Sequence, residues 1–221
     1  MQMHQPFIVK AMLAAQLLWL PILSSAAPAA PTRSASPGEQ KIVFIRHGEK
    51  PADGLGQLDC QGLNRALALP GVLLGKFGRP DFVFAPDPTE KMVENGHSYD
   101  YVRPLLTVAP TAVQAGLPIN TSFGYANIRA LQSELQKPHY RDAFVLVAWE
   151  HKQIEALSRS MLGHLGGNRS AVPAWDDADF DSIYVLTIQR GGGKTSAGFT
   201  LEKEQLNGRS AMCAGAAGAK Q

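Results

Sequence analysis

The stretch Lys41–Pro51, KIVFIRHGEKP, decides how this chain is read. Ile42 to Ile45 are β-branched or aromatic and read as a strand, and five charged, titratable or flexible residues follow at once. A buried strand ordinarily ends in turn formers such as Gly, Asn or Pro. One that ends in Arg46-His47 sets a guanidinium and an imidazole at its carboxyl end, which suits an anion.

Two other runs share this character. DFVFA (81–85) and AFVLVAW (143–149) are continuous rather than alternating, the mark of strands buried on both faces in a parallel sheet. Helical spacing fills the intervals at 62–78, 103–116, 125–136 and 152–167. Pro70 is expected to restart the first helix, Pro104 to occupy the first turn of the second and Pro110 to break it. DSIYVLTI, Gly191–Gly193 and GFTLEKE read as a terminal hairpin. Strand and helix alternate, so the fold class is α/β with a mainly parallel central sheet flanked by helices on both faces.

The chain has 221 residues, 45% of them hydrophobic, enough for one domain, placed at 41–205. Its net charge of +2, without a basic block, gives no support to nucleic-acid binding. Residues 1–29 read as a signal peptide. Lys10 is the only formal charge among the first 32 residues, AMLAAQLLWLPIL is too short to span a bilayer comfortably, and small residues and prolines follow. Residues 30–40 read as a disordered linker and 206–221 as a flexible tail. The protein is thus expected to be secreted or periplasmic, with no stable membrane anchor after cleavage; an uncleaved anchor is the alternative, against which Pro21 and the small-residue tail count. Export would let Cys60 and Cys213 pair, or leave them as two free thiols, since sequence gives no distance between them. The sequons at Asn120 and Asn168 matter only in a eukaryotic source.

In open α/β sheets, ligands bind beyond the carboxyl ends of the strands. Arg46-His47 follows the first strand, Glu150-His151 follows AFVLVAW, and Arg103 opens a helix after the long loop behind DFVFA. Two arginines and two histidines on one rim make an anion site, and phosphate matches the guanidinium fork best. His97, His139 and His164 belong to no such set and read as structural or exposed. WDDADFD (175–181) fits no calcium loop and reads as a solvated acidic loop. Gly191–Gly193 lacks the helix that a phosphate loop requires.

FIRHGEKP resembles the Arg-His-Gly signature of the histidine phosphatase superfamily, the phosphoglycerate mutase-like fold. LDCQGLNRALALPGVL resembles the segment after it, YVRPLLTVAPTAVQAGLPIN the one holding the second arginine, VLVAWEHKQI the second histidine, and WDDADFDSIYVL a closing segment. The resemblance runs from Lys41 to Ile188. It implies a metal-independent phosphatase without cofactor, acting on a small phosphorylated substrate. His47 would become the phosphohistidine, with Arg46, Arg103 and His151 on the phosphoryl oxygens. The second ring N–H of His47 should be held by a carbonyl near Gly48.

The departure is at the proton donor. Lys152 follows His151, and TVAPTAVQAGLPINTSFGY after Arg103 contains no Asp or Glu. Glu150 is taken with the catalytic set, although strand alternation would point it away from His151; Glu49, Asp53 and Asp87 are the other candidates. This counts against a mutase and leaves a phosphatase, with a non-catalytic anion-binding relative as the alternative. If the signal reading holds, secreted protein begins between Ala27 and Ser36; an intact mass retaining Met1 would overturn it.

Overall fold

Three continuous apolar runs form the middle of one sheet. The computed structural model describes residues 38–215, with Gln2 and Ser36, so the proposed signal peptide and most of the linker lie outside the described residues. The strands β1 (Glu39–Arg46), β2 (Phe82–Phe84) and β6 (Phe144–Trp149) are parallel neighbours, joined at the edge by the short β5 (Ile119–Asn120). The terminal hairpin, β7 (Ser182–Gly191) with β8 (Lys194–Lys203), adds antiparallel to β1, giving the order β5-β2-β6-β1-β7-β8. β1 and β6 are covered on both faces, which is why their sequences do not alternate.

The helices divide between the faces. On one, α1 (Cys60–Phe77) and α2 (Arg103–Ala115) set Leu69, Leu73, Val108 and Ala112 on Val43, Ile45 and Leu146. On the other, α3 (Ile128–Leu135) and α4 (His151–His164) set Leu131, Ile154, Leu157 and Met161 on Phe44, Val145 and Val147. Asp59 caps α1 by accepting from the Gly62 N–H at 2.8 Å. Neither proline breaks its helix: α1 runs through Pro70 and α2 through Pro110. A proline inside a helix removes one hydrogen bond and crowds the carbonyl four residues back. Buried residues on both sides, Leu69 and Leu73 for Pro70 and Val108 and Ala112 for Pro110, outweigh that cost.

The stretch expected as a long loop behind β2 contains a second small sheet, β3 (Lys91–Glu94) with β4 (His97–Asp100). Asn95 and Gly96 both take positive φ, 50° and 80°, as a two-residue hairpin turn requires.

The first α1 turns carry a buried charge cluster. Arg65, with a fully buried side chain, donates to Glu49 at 2.7 Å, Glu204 at 2.6 Å and Asn207 at 3.0 Å, and pairs with Asp181 at 3.4 Å. Residues 206–213, read as a flexible tail, therefore have attachments: Leu206 is buried, Asn207 meets Arg65, and Cys213 forms a disulfide with Cys60. Closing 153 residues of chain, that bond stabilises by about 5 kcal/mol in the chain-entropy picture.

One guanidinium faces three carboxyls, and burial, reinforced by Asp181 and Glu49, pushes the Glu204 carboxyl from an ordinary 4.5 up to about 8. The folded state thus binds this proton more tightly than the unfolded chain. Its contribution to stability is full below about 4.5 and is lost as pH rises towards about 8. Urea midpoints should fall across that window for the native protein, and Glu204→Gln should flatten this limb. Arg65→Ala, which leaves the carboxyls without their cation, should cost about 3–5 kcal/mol.

Candidate active site

The opening motif lies where β1 leaves the sheet. The His47 N–H continues the ladder to the Trp149 carbonyl at 3.2 Å, after which the chain turns under α1 and α2. The Gly48 N–H donates to the Thr107 hydroxyl at 2.9 Å, which itself donates to the Arg103 carbonyl at 2.9 Å. Thr107, wholly buried, so fixes the distance between the helix of Arg103 and the loop of His47. A β-carbon on Gly48 would come within 2.9 Å of the Gly62 backbone, and one on Gly62 within 2.3 Å of the Glu49 carbonyl. The loop and α1 touch backbone to backbone, which only glycine at both positions permits.

The His47 ring is oriented by its own chain. Nδ1 lies 2.7 Å from the Gly48 carbonyl, so that nitrogen carries the proton and Nε2 presents its lone pair. Burial and the nearby Arg103 and Arg46 charges push its pKa down to about 3. The imidazole is neutral across the physiological range.

Around it stand the other residues that the sequence singled out. Arg46 is stacked 3.8 Å from the Phe180 ring centre and donates through Nη1 to the carbonyls of Asp177, at 2.7 Å, and Asp179, at 3.0 Å. Arg103 enters at the first turn of α2 and pairs with Glu94 of the small hairpin at 2.8 Å. His151, the first residue of α4, places Nε2 2.9 Å from Asp177 Oδ1. Arg46, His47 and Arg103 are each at most 4% exposed. Within this buried set, Arg46 Nε, Arg103 Nε and the Tyr101 hydroxyl have no hydrogen-bond partner among the described residues.

Several expectations need correction. The acidic stretch 175–181 is solvated only in its middle: Asp176, Asp177 and Ala178 are exposed, but Trp175 and Asp181 are buried, and the loop lays Asp177, Asp179 and Phe180 over Arg46 and His151. Nor does Glu150 point away from His151. The strand stops at Trp149, Glu150 becomes the α4 cap, accepting from the Gln153 N–H at 2.9 Å, and its Oε1 lies 2.6 Å from His151 Nδ1. That approach is a close contact off the hydrogen-bond direction, since Nδ1 makes no aligned bond. Of the other carboxylates considered, Glu49 is committed to Arg65, Asp87 closes a turn on Thr89, and Asp53 is exposed.

No carboxyl touching the cradle is tuned to give up a proton at neutral pH. Burial opposes ionisation of Glu94 and Glu150, but for Glu94 the Arg103, Lys50 and Gly56 N–H contacts, and for Glu150 the His151 contact and α4 backbone N–H groups, hold each down at about 2. Lys152 and His151 hold Asp177 at about 2. The residues sequence reasoning missed are Glu94, Tyr101, Thr107, Asp177 and Phe180. The Asn95-Gly96 pair flanked by strand formers was the available sign of the hairpin that carries Glu94.

No protein-family model matches the chain, and no curated protein matches it. Among solved structures, one from Nakamurella multipartitia named for phosphohistidine phosphatase SixA aligns with a TM-score of 0.50 at 17% identity, over 75% of this chain and 96% of its own. A mycobacterial glucosyl-3-phosphoglycerate phosphatase gives 0.48 at 15% identity, covering 73% and 97%. A phosphoglycerate mutase from Plasmodium falciparum gives 0.48 at 14%, covering 73% and 89%. These neighbours are histidine phosphatase superfamily proteins, and the fold of the chain is the phosphoglycerate mutase-like α/β fold.

With its pKa at about 3, the His47 ring should show no titration from pH 5 to pH 8 in the free protein. A ring-proton NMR signal moving with a midpoint near the ordinary 6.5 would contradict the burial and hydrogen bonding described.

Proposed function

We propose that the protein is an exported phosphatase that hydrolyses a phosphomonoester or phosphoramidate through a phosphohistidine on His47. The observation that carries this reading is the set of buried donors without acceptors among the described residues, Arg46 Nε, Arg103 Nε and Tyr101 Oη, around a neutral imidazole. Buried polar groups are rarely left unpaired, and two guanidinium groups beside a lone pair match a phosphoryl group under attack. The fold of the solved neighbours supports the same class.

In the first step the Nε2 lone pair of His47 forms a bond to phosphorus as the bond to the leaving group breaks. Arg46, Arg103 and His151 carry the charge on the three non-bridging oxygens. In the second, water attacks the phosphohistidine, the N–P bond breaks, and inorganic phosphate leaves with the lone pair returned to Nε2. With no carboxyl of the cradle tuned as an acid, substrates whose leaving group departs without a protein acid are favoured: esters of acidic alcohols or phenols, and phosphoramidates whose nitrogen takes its proton from water.

A specific observation favours a second reading, an anion-binding relative without turnover. Glu94 already occupies Arg103, and Asp177 already occupies both Arg46 and His151. Export rests on the amino-terminal pattern together with the Cys60–Cys213 disulfide, which suits an oxidising compartment. Among the described residues no helix is long and apolar enough to cross a membrane.

Brief incubation with a radiolabelled phosphate ester or phosphoramidate should leave an acid-labile, alkali-stable label on His47. His47→Ala should abolish label and turnover while keeping vanadate binding. Arg103→Ala should lose both, with on the order of 2–4 kcal/mol of transition-state stabilisation removed. Wild-type protein that binds vanadate yet neither labels nor turns over a broad panel would establish the binding-only reading.

A further inference from the structure

Tyr101 sits between β4 and α2, and its backbone is held on both sides. Its N–H donates to the Glu90 carbonyl at 3.1 Å, and the next two N–H groups, of Val102 and Arg103, donate to the Gly56 carbonyl at 3.0 and 3.1 Å. The ring is wholly buried. It meets His47 at 6.1 Å between centroids with the planes at 89°, Tyr125 at 5.1 Å, and the Arg103 guanidinium 4.8 Å over its face. A phenylalanine would satisfy every one of those contacts. Among the described residues the hydroxyl has no aligned hydrogen-bond partner, though the Arg103 guanidinium lies beside it, whereas Tyr140 donates to Glu134 at 2.9 Å and Tyr184 to the Pro173 carbonyl at 3.1 Å.

We infer that Tyr101 is a further phosphate ligand of this site, its phenolic O–H donating to a phosphoryl oxygen held by Arg46 and Arg103. The inference rests on the phosphatase reading for the identity of the ligand. Three donors unpaired among the described residues, Arg46 Nε at the end of β1, Tyr101 Oη before α2 and Arg103 Nε within it, then share one tetrahedral acceptor. Burial raises the Tyr101 phenol well above its ordinary range, so the group stays a protonated donor and brings no negative charge against the phosphoryl oxygens. It therefore acts by holding oxygen, and proton transfer to the leaving group is not its role.

Tyr101→Phe in the full chain removes one oxygen and keeps the ring. Orthovanadate affinity should fall about tenfold or more, the scale of a lost hydrogen bond to a charged group, and kcat/KM should fall at least as far. The melting temperature should hold or rise, because the variant buries one fewer unpaired polar atom, whereas a packing role would lower it and leave vanadate affinity unchanged. Should the variant fold poorly, 3-fluorotyrosine at position 101, whose phenol is more acidic, provides the second measurement: vanadate affinity should change by several-fold relative to tyrosine. Tyr101→Phe with wild-type vanadate affinity overturns the inference while leaving phosphatase turnover intact. Wild-type protein that binds vanadate through Tyr101 but never turns over or labels overturns the phosphatase reading and leaves the ligand assignment standing.

Discussion

A single buried guanidinium holds together the pieces on which the site depends. Arg65 lies on the third residue after Gly62, and its partners come from four places in the chain: Glu49 beside the histidine motif, Asp181 at the end of the acidic loop, Glu204 after β8, and Asn207 beyond it. Such a cluster adds little net stability compared with an apolar core of equal size, because desolvation offsets much of the attraction. What it supplies is placement. The loop of His47 and the loop over Arg46 are both referred to one fixed charge, so neither shifts without disturbing the other.

The site's chemistry is that of two guanidinium charges held in reserve. Arg46 and Arg103, and the His151 ring beside them, are not bare; each meets an oxygen supplied by the 91–100 hairpin or the 175–181 loop. These carboxylates and carbonyls keep the two buried guanidinium groups compensated. An anion that enters directly meets the Nε donors of Arg46 and Arg103, unpaired among the described residues, and competes with those oxygens only for the Nη atoms and His151. Tightness toward ligand is then the difference between two sets of hydrogen bonds rather than the sum of one. The same internal anions explain why no carboxyl here is tuned as an acid: each is stabilised ionised by the cation it compensates.

Much of this was legible in the residues. β1, β2 and β6 were readable because strands buried on both faces leave an uninterrupted apolar signature, and Arg46, His47, Arg103 and His151 because they follow those strands or open the helices behind them. What was not legible followed from tertiary packing overriding local signals. Pro70 and Pro110 look like breaks but lie within helices whose flanking residues are buried. Glu150 keeps an extended backbone, yet because the chain turns into α4 at the next residue its capping carboxylate lies against His151. The acidic run 175–181 gave no periodicity from which its contacts with Arg46 could be inferred, since those are made by backbone carbonyls, which carry no sequence signature.

The disulfide that ties α1 to the end of the described chain has a consequence for how the site comes into being. His47 precedes Glu204, Asn207 and Cys213 by well over a hundred residues, and the Arg65–Glu204 and Cys60–Cys213 links span 139 and 153 positions. A nascent chain holding the whole motif and both flanking helices still lacks the partners that fix them. Long loops close slowly, and here closure also waits on an oxidant. A partly emerged or reduced chain carries the Arg-His-Gly sequence without its settled geometry, so the pocket around His47 takes its final form only once the carboxyl-terminal partners have arrived and the two thiols have joined.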